Sequence, residues 1–484
     1  MSKNSIRVRF APAPTGMMHL GNVRTALLNY LFAKRKGGTF VLRIEDTDSE
    51  RNYDPEAKEI IHDLHWLGLD YDEGPYAKEP YKPYFQSQRT PIYQKYLNEL
   101  IENNGAYRCF CSPEELEKKR ERQIALKQPP RYDRHCLNLS EQEIAKRLSN
   151  NTPFIWRVKL DHEGLVSIHD LAHGTITFDF KNFSDFPISR KDGSFTFIFA
   201  NFVDDMTMEI THVFRGDDHL TNTANQAGLY KLFGKELPTF WHMPILCNKE
   251  GKKLSKRDFG FSLRDLQKAG FTPEAICNYL AIIGSSFEEE IMSLEELTKK
   301  LNFDNPPSAG HIKYDVEKLQ WLNHKWIDRY APEQLALACR PFLEDAFAEA
   351  KNIPNERLAD LLKVIKTDLV TLKDAVPALY FYFEKPTVTA DDIANYVNDE
   401  QAPILASIIS EHLDLINNPE QFAASVKKSA QEKNLPLKPL FSFIRLALTG
   451  KATGPSIHDL ASMLGQVKTK ERLEDGLELL GRVR

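Results

Sequence analysis

The stretch that most constrains this chain is Arg9–Leu31, where a strand, a tight loop and a helix follow one another. From Ile6 to Ala11, branched and aromatic residues alternate with Arg7 and Arg9, the pattern of a strand. Pro12, Pro14 and Gly16 then force a turn. From about Asn22 the spacing becomes helical, with Val23, Leu27, Tyr30 and Leu31 on one stripe. His19 and Gly21 sit where the helix begins. A helix start presents unpaired N–H groups and partial positive charge, which suit a phosphate. Gly21 has no side chain to keep a phosphate or a flat ring away from the backbone, and His19 can donate to phosphate oxygens. An ordinary turn in which His19 only caps the helix stays open on this stretch alone.

A second stretch, far down the chain, bears on the first. Lys252-Lys253-Leu254-Ser255-Lys256-Arg257 is a basic loop introduced by Gly251 and ended by Gly260. Together, His19-Leu20-Gly21-Asn22 and Lys253-Leu254-Ser255-Lys256-Arg257 resemble the paired signatures of class I aminoacyl-tRNA synthetases. That class usually has His-Ile-Gly-His and Lys-Met-Ser-Lys-Ser, so Leu20, Asn22, Leu254 and Arg257 are departures. The glutamyl-specific branch tolerates those at Asn22 and Arg257.

A chain of 484 residues is too long for one core, and three to five domains or subdomains are expected. The net charge of −5 provides no global basic field, so a nucleic acid has to be held by local patches. Six cysteines do not suggest a disulfide scaffold. With no apolar leader ahead of the first strand and no apolar run of membrane-spanning length, a cytoplasmic protein is expected.

In chain order, Lys36-Gly37-Gly38 stops the first helix, and Phe40–Ile44 is a buried strand ending in Glu45-Asp46-Thr47-Asp48. The run Val41–Asp48 is close to a signature of the glutamyl/glutaminyl branch. Helices are expected at Pro55–Leu67 and Pro91–Asn103. Cys109, Cys111 and Cys136 could supply three ligands of a tetrahedral Zn²⁺ site, an alternative to three free thiols. Some bacterial relatives carry zinc at a similar place, commonly with His two positions after the third cysteine. Here that position is Asn138, and Tyr132 or His135 is left as the substitute. Short strands at Phe154–Leu160, Leu165–Ile168 and Thr175–Phe180 suggest an α+β insertion. The parallel fold resumes at Phe195–Asp205, followed by a strand at Glu209–Phe214, a helix at Asn222–Phe233 and a strand at Thr239–Leu246. From about Leu263 the spacing is nearly all helical.

The expected fold is therefore α/β, a split Rossmann-type parallel sheet with an α+β insertion and an all-helical C-terminal half. The expected domains are 1–90 with 195–245 (nucleotide-binding and catalytic), 91–194 (insertion), 246–330 (containing the lysine loop) and 331–484 (helical). The helical second half resembles bacterial-type glutamyl-tRNA synthetases. In that family the insertion holds the tRNA acceptor end, the third region contacts the stem and the last binds the anticodon.

The resemblance implies ATP-dependent ligation of L-glutamate to tRNA-Glu through glutamyl-adenylate, with Mg²⁺ accompanying ATP. Whether tRNA-Gln is also charged turns on the anticodon-binding residues; a discriminating arginine of some relatives falls near Asp368 on a loose alignment. A monomer is expected. His19, Gly21, Asn22, Asp218, Lys253, Ser255 and Lys256 would bind ATP, with His19, Gly21, Lys253 and Lys256 serving catalysis. Arg9 would pair with the glutamate side chain, Glu45 with its ammonium, and Arg215 would lie near its α-carboxylate. Ala11, Ala13, Phe197 and Asn201 would line the pocket; the family often has Tyr at Phe197, and Phe cannot donate that hydrogen bond. No Walker-type motif occurs, so the chain is not a P-loop enzyme. Two other readings remain, a synthetase-like RNA-binding protein without catalysis and a nucleotidyltransferase of the same fold that activates another acid.

Overall fold

The computed structural model describes residues 5–47, 52–255, 257–304, 306 and 311–482. They divide into two compact units, one comprising residues up to Leu266 plus Pro273–Leu319, the other Gln267–Thr272 plus Gln320 onward.

The first unit is built on parallel strands. Strands β1 (Arg7–Phe10) and β2 (Thr39–Leu42) pair in parallel, joined by the helix Leu20–Lys36. Such a connection requires a helix to cross over the sheet. The helix stops because Gly37 adopts left-handed φ of 62°, which lets its N–H cap the carbonyls of Ala33 and Lys34. An antiparallel pair, β3 (Ala106–Cys109) with β4 (Ile155–Val158), lies within the insertion. Strands β5 (Leu165–Asp170), β6 (Gly174–Asp179), β7 (His212–Gly216) and β8 (Thr239–Met243) form a sheet in the order β6-β5-β8-β7. Strands β7 and β8 run parallel with Arg215 opposite His242, while the β5–β6 hairpin joins through Asp170 beside Phe240. Just ahead of β7, the Thr211 N–H donates to the Arg7 carbonyl at 3.0 Å, which sets β1 next to β7. The short pair β9 (Leu246–Cys247) and β10 (Ile312–Lys313) completes the strands of the described residues.

The run Phe195–Asp205, whose type the sequence leaves open, is largely a helix, Phe197–Thr207. A short apolar run does not distinguish a buried helix from a buried strand. The expected strand at Glu209–Phe214 begins later, at His212, because the helix runs to Thr207 and Glu209 turns the chain at φ 55°. The expected strand Thr239–Leu246 is interrupted between Met243 and Leu246.

The second unit has no strand among its described residues. Its helices pack around one apolar core that includes Leu335, Leu362, Ile409, Phe422, Phe443 and Leu460. The expected helix at Ser456–Leu464 continues as Ile457–Leu480, broken by non-helical Gly465. Asp368 ends an exposed 3-10 turn, Lys366–Asp368. Among the described residues, no helix is long and apolar enough to cross a membrane.

Candidate functional site

The first signature is held by backbone bonds to the segment just past the lysine loop, more than two hundred residues away. The Leu20 N–H donates to the Phe261 carbonyl at 3.0 Å, the Leu263 N–H donates to the Met18 carbonyl at 2.9 Å, and the His19 ring stacks on Phe261 at 5.2 Å. His19 does cap the helix: its Nδ1 accepts from the Asn22 N–H at 3.2 Å, and Asn22 Oδ1 reciprocates with the His19 N–H at 3.4 Å. The cap does not replace the phosphate reading. An accepting Nδ1 puts the proton of the neutral ring on Nε2, leaving a donor there. Burial and the Lys253 charge push His19 down to about 4, so the ring is neutral at pH 7. Gly21 also leaves room for the His19 ring: a Cβ there would lie 3.0 Å from it, so the ring would have to shift.

The lysine loop is a turn held by Asn248 and Asp258. Asn248 Oδ1 accepts from the Lys252 N–H at 3.0 Å, and Asp258 Oδ2 accepts from the Ser255 N–H and hydroxyl at 2.8 and 2.9 Å. Lys253 Nζ reaches Asp218 at 2.8 Å. Lys256 lies outside the described residues, as does Asp48 at the end of the acidic run. His19, Gly21, Asn22, Lys253, Asp218, His219 and Arg215 line a single cavity of about 240 Å³. A larger one of about 760 Å³, lined by Trp241, Phe287 and Lys300, contains none of the residues singled out from the sequence.

Beside that cavity lies a buried network of charges. Arg9 donates to Asp205 from Nε at 3.1 Å and to the Phe214 carbonyl at 3.3 Å. Arg43 donates to Asp205 at 2.6 Å and to Glu45 at 3.0 Å, and Arg89 donates to Asp204 at 2.6 Å. Glu45 Oε1 also accepts from Asn201 Nδ2 at 2.6 Å. Burial raises the Glu45 carboxyl despite Arg43. The Glu45 N–H donates to the Pro12 carbonyl at 3.0 Å, which places half-buried Ala11 and exposed Ala13 alongside that carboxylate's strand end. Phe197 opens the helix that carries Asn201 and Asp205, its ring 6.0 Å from His219.

Arg215 differs from the other three arginines. Its Nη2 donates to Thr223 at 2.5 Å and to Gln226 at 2.8 Å, both neutral. Its Nε and Nη1 are buried and have no partner among the described residues. Burial, then repulsion from Arg9, pushes it down to about 9. A buried guanidinium that bonds no carboxylate and has donors to spare can receive an anion. Sequence reasoning missed Arg43, Asp204, Thr223, Gln226, His242 and Asp258. The adjacent acids Asp204 and Asp205, ending an otherwise apolar run, were the visible signal for the network.

Elsewhere in this unit, the Cys109, Cys111 and Cys136 sulfurs lie within 4.8 Å of one another. The Tyr132 hydroxyl lies 3.3 Å from Cys109 and 3.8 Å from Cys111, whereas His135 is exposed, its backbone N–H bonded to Asp133. Three thiols and a phenol around one point are a donor set that fits a soft tetrahedral cation.

Residues 5–321 match the model for "tRNA synthetases class I (E and Q), catalytic domain", and 334–477 that for "Anticodon binding domain". The chain is 37% identical to the glutamate–tRNA ligase of Finegoldia magna across 98% of this chain and 99% of the relative. It is 36% identical to that of Geobacillus thermodenitrificans across 99% of each. The glutamate tRNA ligase of Elizabethkingia meningosepticum, solved in complex with its amino acid, superposes with a TM-score of 0.88 at 31% identity, over 99% of this chain and 100% of that one. The chain belongs to the glutamate–tRNA ligases, within the class I tRNA synthetases.

Proposed function

We infer that the chain activates L-glutamate with ATP and transfers it to tRNA, and that the residues around the 240 Å³ cavity carry the first step. The observation that supports this most is Arg215, a buried cation with two unpartnered donors in a cavity shared with His19, Gly21 and Lys253.

An α-carboxylate oxygen of glutamate attacks the α-phosphorus of ATP. The bond to the bridging oxygen breaks, and pyrophosphate leaves. The terminal adenosine hydroxyl of tRNA then attacks the acyl carbon, and AMP departs. No protein nucleophile is needed, so catalysis is positioning and charge stabilisation. His19 Nε2–H and the helix start at Gly21 hold phosphate oxygens, with Asn22 fixing the His19 ring. Lys253 exchanges Asp218 for the triphosphate, Ser255 holds the loop turn, and Lys256 supplies the second cation. Mg²⁺ accompanying ATP would offset negative charge on the triphosphate.

Arg9 and Arg215 receive the carboxylates of glutamate. Glu45 takes the ammonium, with Ala11, Ala13, Phe197 and Asn201 as walls. The partners are ATP, L-glutamate and tRNA-Glu. The insertion at 91–194 holds the acceptor end, 246–330 contacts the stem and 331–484 reads the anticodon. The protein acts as a cytoplasmic monomer. ATP–pyrophosphate exchange with glutamate and tRNA, followed by charging of purified tRNA-Glu and tRNA-Gln, tests this reading. Charging of tRNA-Glu is the expected result, and charging of both would add tRNA-Gln to the substrates. Exchange and charging both absent from folded protein would favour the silent RNA-binding reading. Lys256→Ala is expected to slow activation on the order of a hundredfold; a near-normal rate removes that lysine from the mechanism.

Cys109, Cys111, Cys136 and Tyr132 hold one structural Zn²⁺. Burial pushes the Tyr132 phenol well above its ordinary range, so binding would require the ion to displace its proton. Protein purified without chelator is expected to contain about one zinc per chain by elemental analysis. Much less than one would leave three free thiols.

A further inference from the structure

Behind Arg215, away from the cavity, runs a chain of hydrogen bonds that the activation mechanism above does not use. Strand β7 presents Arg215 directly opposite His242 of β8. No hydrogen bond links the two side chains directly; the hydroxyl of Thr223, from the helix Leu220–Leu232, is within bonding distance of both. Thr223 Oγ1 is 2.6 Å from His242 Nε2 and accepts from Arg215 Nη2 at 2.5 Å. On the far side of the ring, His242 Nδ1 is 2.7 Å from Asp170 Oδ2. Asp170, at the end of β5, is completely buried. It also accepts from the backbone N–H groups of His242, Ala172 and His173, at 2.9 to 3.0 Å.

The direction of every bond in this chain is determined. A carboxylate only accepts, so His242 Nδ1 carries a proton. Burial lowers the His242 pKa, outweighing Asp170, so the ring is neutral and Nε2 is bare. A bare Nε2 can only accept, and at 2.6 Å it takes the Thr223 proton in preference to the His219 carbonyl, 3.2 Å from the same hydroxyl. The lone pairs of Thr223 are then turned toward Arg215. With Nη2 held by Thr223 and by Gln226 Oε1, the guanidinium plane is locked with Nε and Nη1 left over.

We propose that Asp170, His242 and Thr223 are positioning residues for glutamate, fixing the hydroxyl that holds Arg215 Nη2 and so orients the unpartnered Nη1 end of the guanidinium toward a substrate carboxylate. This rests on the reading of Arg215 as a glutamate receptor. The assignment makes a side chain of the insertion-side hairpin, Asp170, part of amino-acid selection, although it touches no substrate. It also explains why a threonine stands here: valine has the same shape but would leave Nη2 with one acceptor fewer in a buried site.

The experiment is pyrophosphate exchange on the full-length protein with tRNA-Glu present, glutamate and ATP being varied separately. Thr223→Val and His242→Gln are expected to raise the glutamate KM about tenfold or more, the weight of one hydrogen bond to a buried charge. The ATP KM should stay within about twofold. Thr223→Ser keeps the hydroxyl and is expected to restore a near-normal glutamate KM. Combining Thr223→Val with His242→Gln should cost little more than either alone, because both break the same chain. A role in packing alone would lower the melting temperature and the rate for both substrates without moving the glutamate KM selectively, and that result would overturn the proposal. If Thr223→Val does not fold, His242→Gln alone decides between the two outcomes. Arg215→Gln is run beside them. An unchanged glutamate KM there would refute the receptor itself, whereas a raised KM with normal Thr223→Val and His242→Gln would refute only the positioning chain.

Discussion

Arg215→Gln is expected to raise the glutamate KM by two orders of magnitude or more while leaving the protein at least as stable as the parent. The two halves of this result have one cause. Arg215 is 7% exposed, bonds no carboxylate and is held down to about 9 by burial and by Arg9. A buried cation without a counter-ion costs folding free energy, so a neutral side chain of similar reach relieves the fold. In the complex with glutamate the balance reverses, because truncating one partner of a buried charge pair costs about 2–5 kcal/mol. Arg9 lacks this signature, since Asp205 already compensates it at 3.1 Å. Arg9→Ala should therefore lower the melting temperature as well as weaken glutamate use, by leaving Asp205 short of a partner. The measurements are thermal unfolding and glutamate-dependent exchange. An unstable Arg215→Gln with a normal KM would make Arg215 a structural residue.

The second large effect is expected at His19, where two substitutions separate its two duties. His19→Ala removes the cap on Leu20–Lys36 and the phosphate donor together, costing about 1 kcal/mol of stability along with activity. His19→Asn keeps an acceptor for the Asn22 N–H but has no ring nitrogen reaching outward. It should melt near the parent temperature and still activate glutamate on the order of a hundredfold more slowly. Normal activity in His19→Asn would leave the residue as a cap only. The same ring also carries a pH signature. Its folded value of about 4 lies below the ordinary 6.5, so the unfolded chain takes up the proton first as pH falls. The contribution of the neutral ring to stability is complete above pH 6.5 and is lost as pH falls toward 4. That component of acid destabilisation should vanish in His19→Asn.

Much of this was legible in the chain itself because it is local. The alternation around Arg7 and Arg9, the prolines after it and the helical stripe from Val23 define strand, loop and helix within a few residues of each other. Glycine at 37 announces the helix end, and helical spacing matches the helices of the second unit from Gln320 onward, whereas Pro273–Leu319 packs with the first unit. Local patterns also located Cys109, Cys111 and Cys136, and named Tyr132 and His135 as alternatives for the fourth ligand. Only the fold brings the Tyr132 hydroxyl to the thiols and leaves His135 exposed.

The tertiary structure alone decided everything that depends on who compensates whom. Arg9, Arg43, Arg89, Arg24 and Arg215 are all buried, and no periodicity tells which are bonded to Asp204 or Asp205, which, like Arg24, to backbone carbonyls, and which, like Arg215, to neutral side chains. The carboxylate bonds of Arg9, Arg43 and Arg89 join residues more than a hundred positions apart, except the short step from Arg43 to Glu45. The same holds for Asp170, His242 and Thr223, unremarkable in sequence and linked only because β5, β8 and the Leu220–Leu232 helix converge behind Arg215. Sequence determines which groups can ionise or donate. Burial, which is a property of the packed chain, determines which of them are left without a partner and so are available to a substrate.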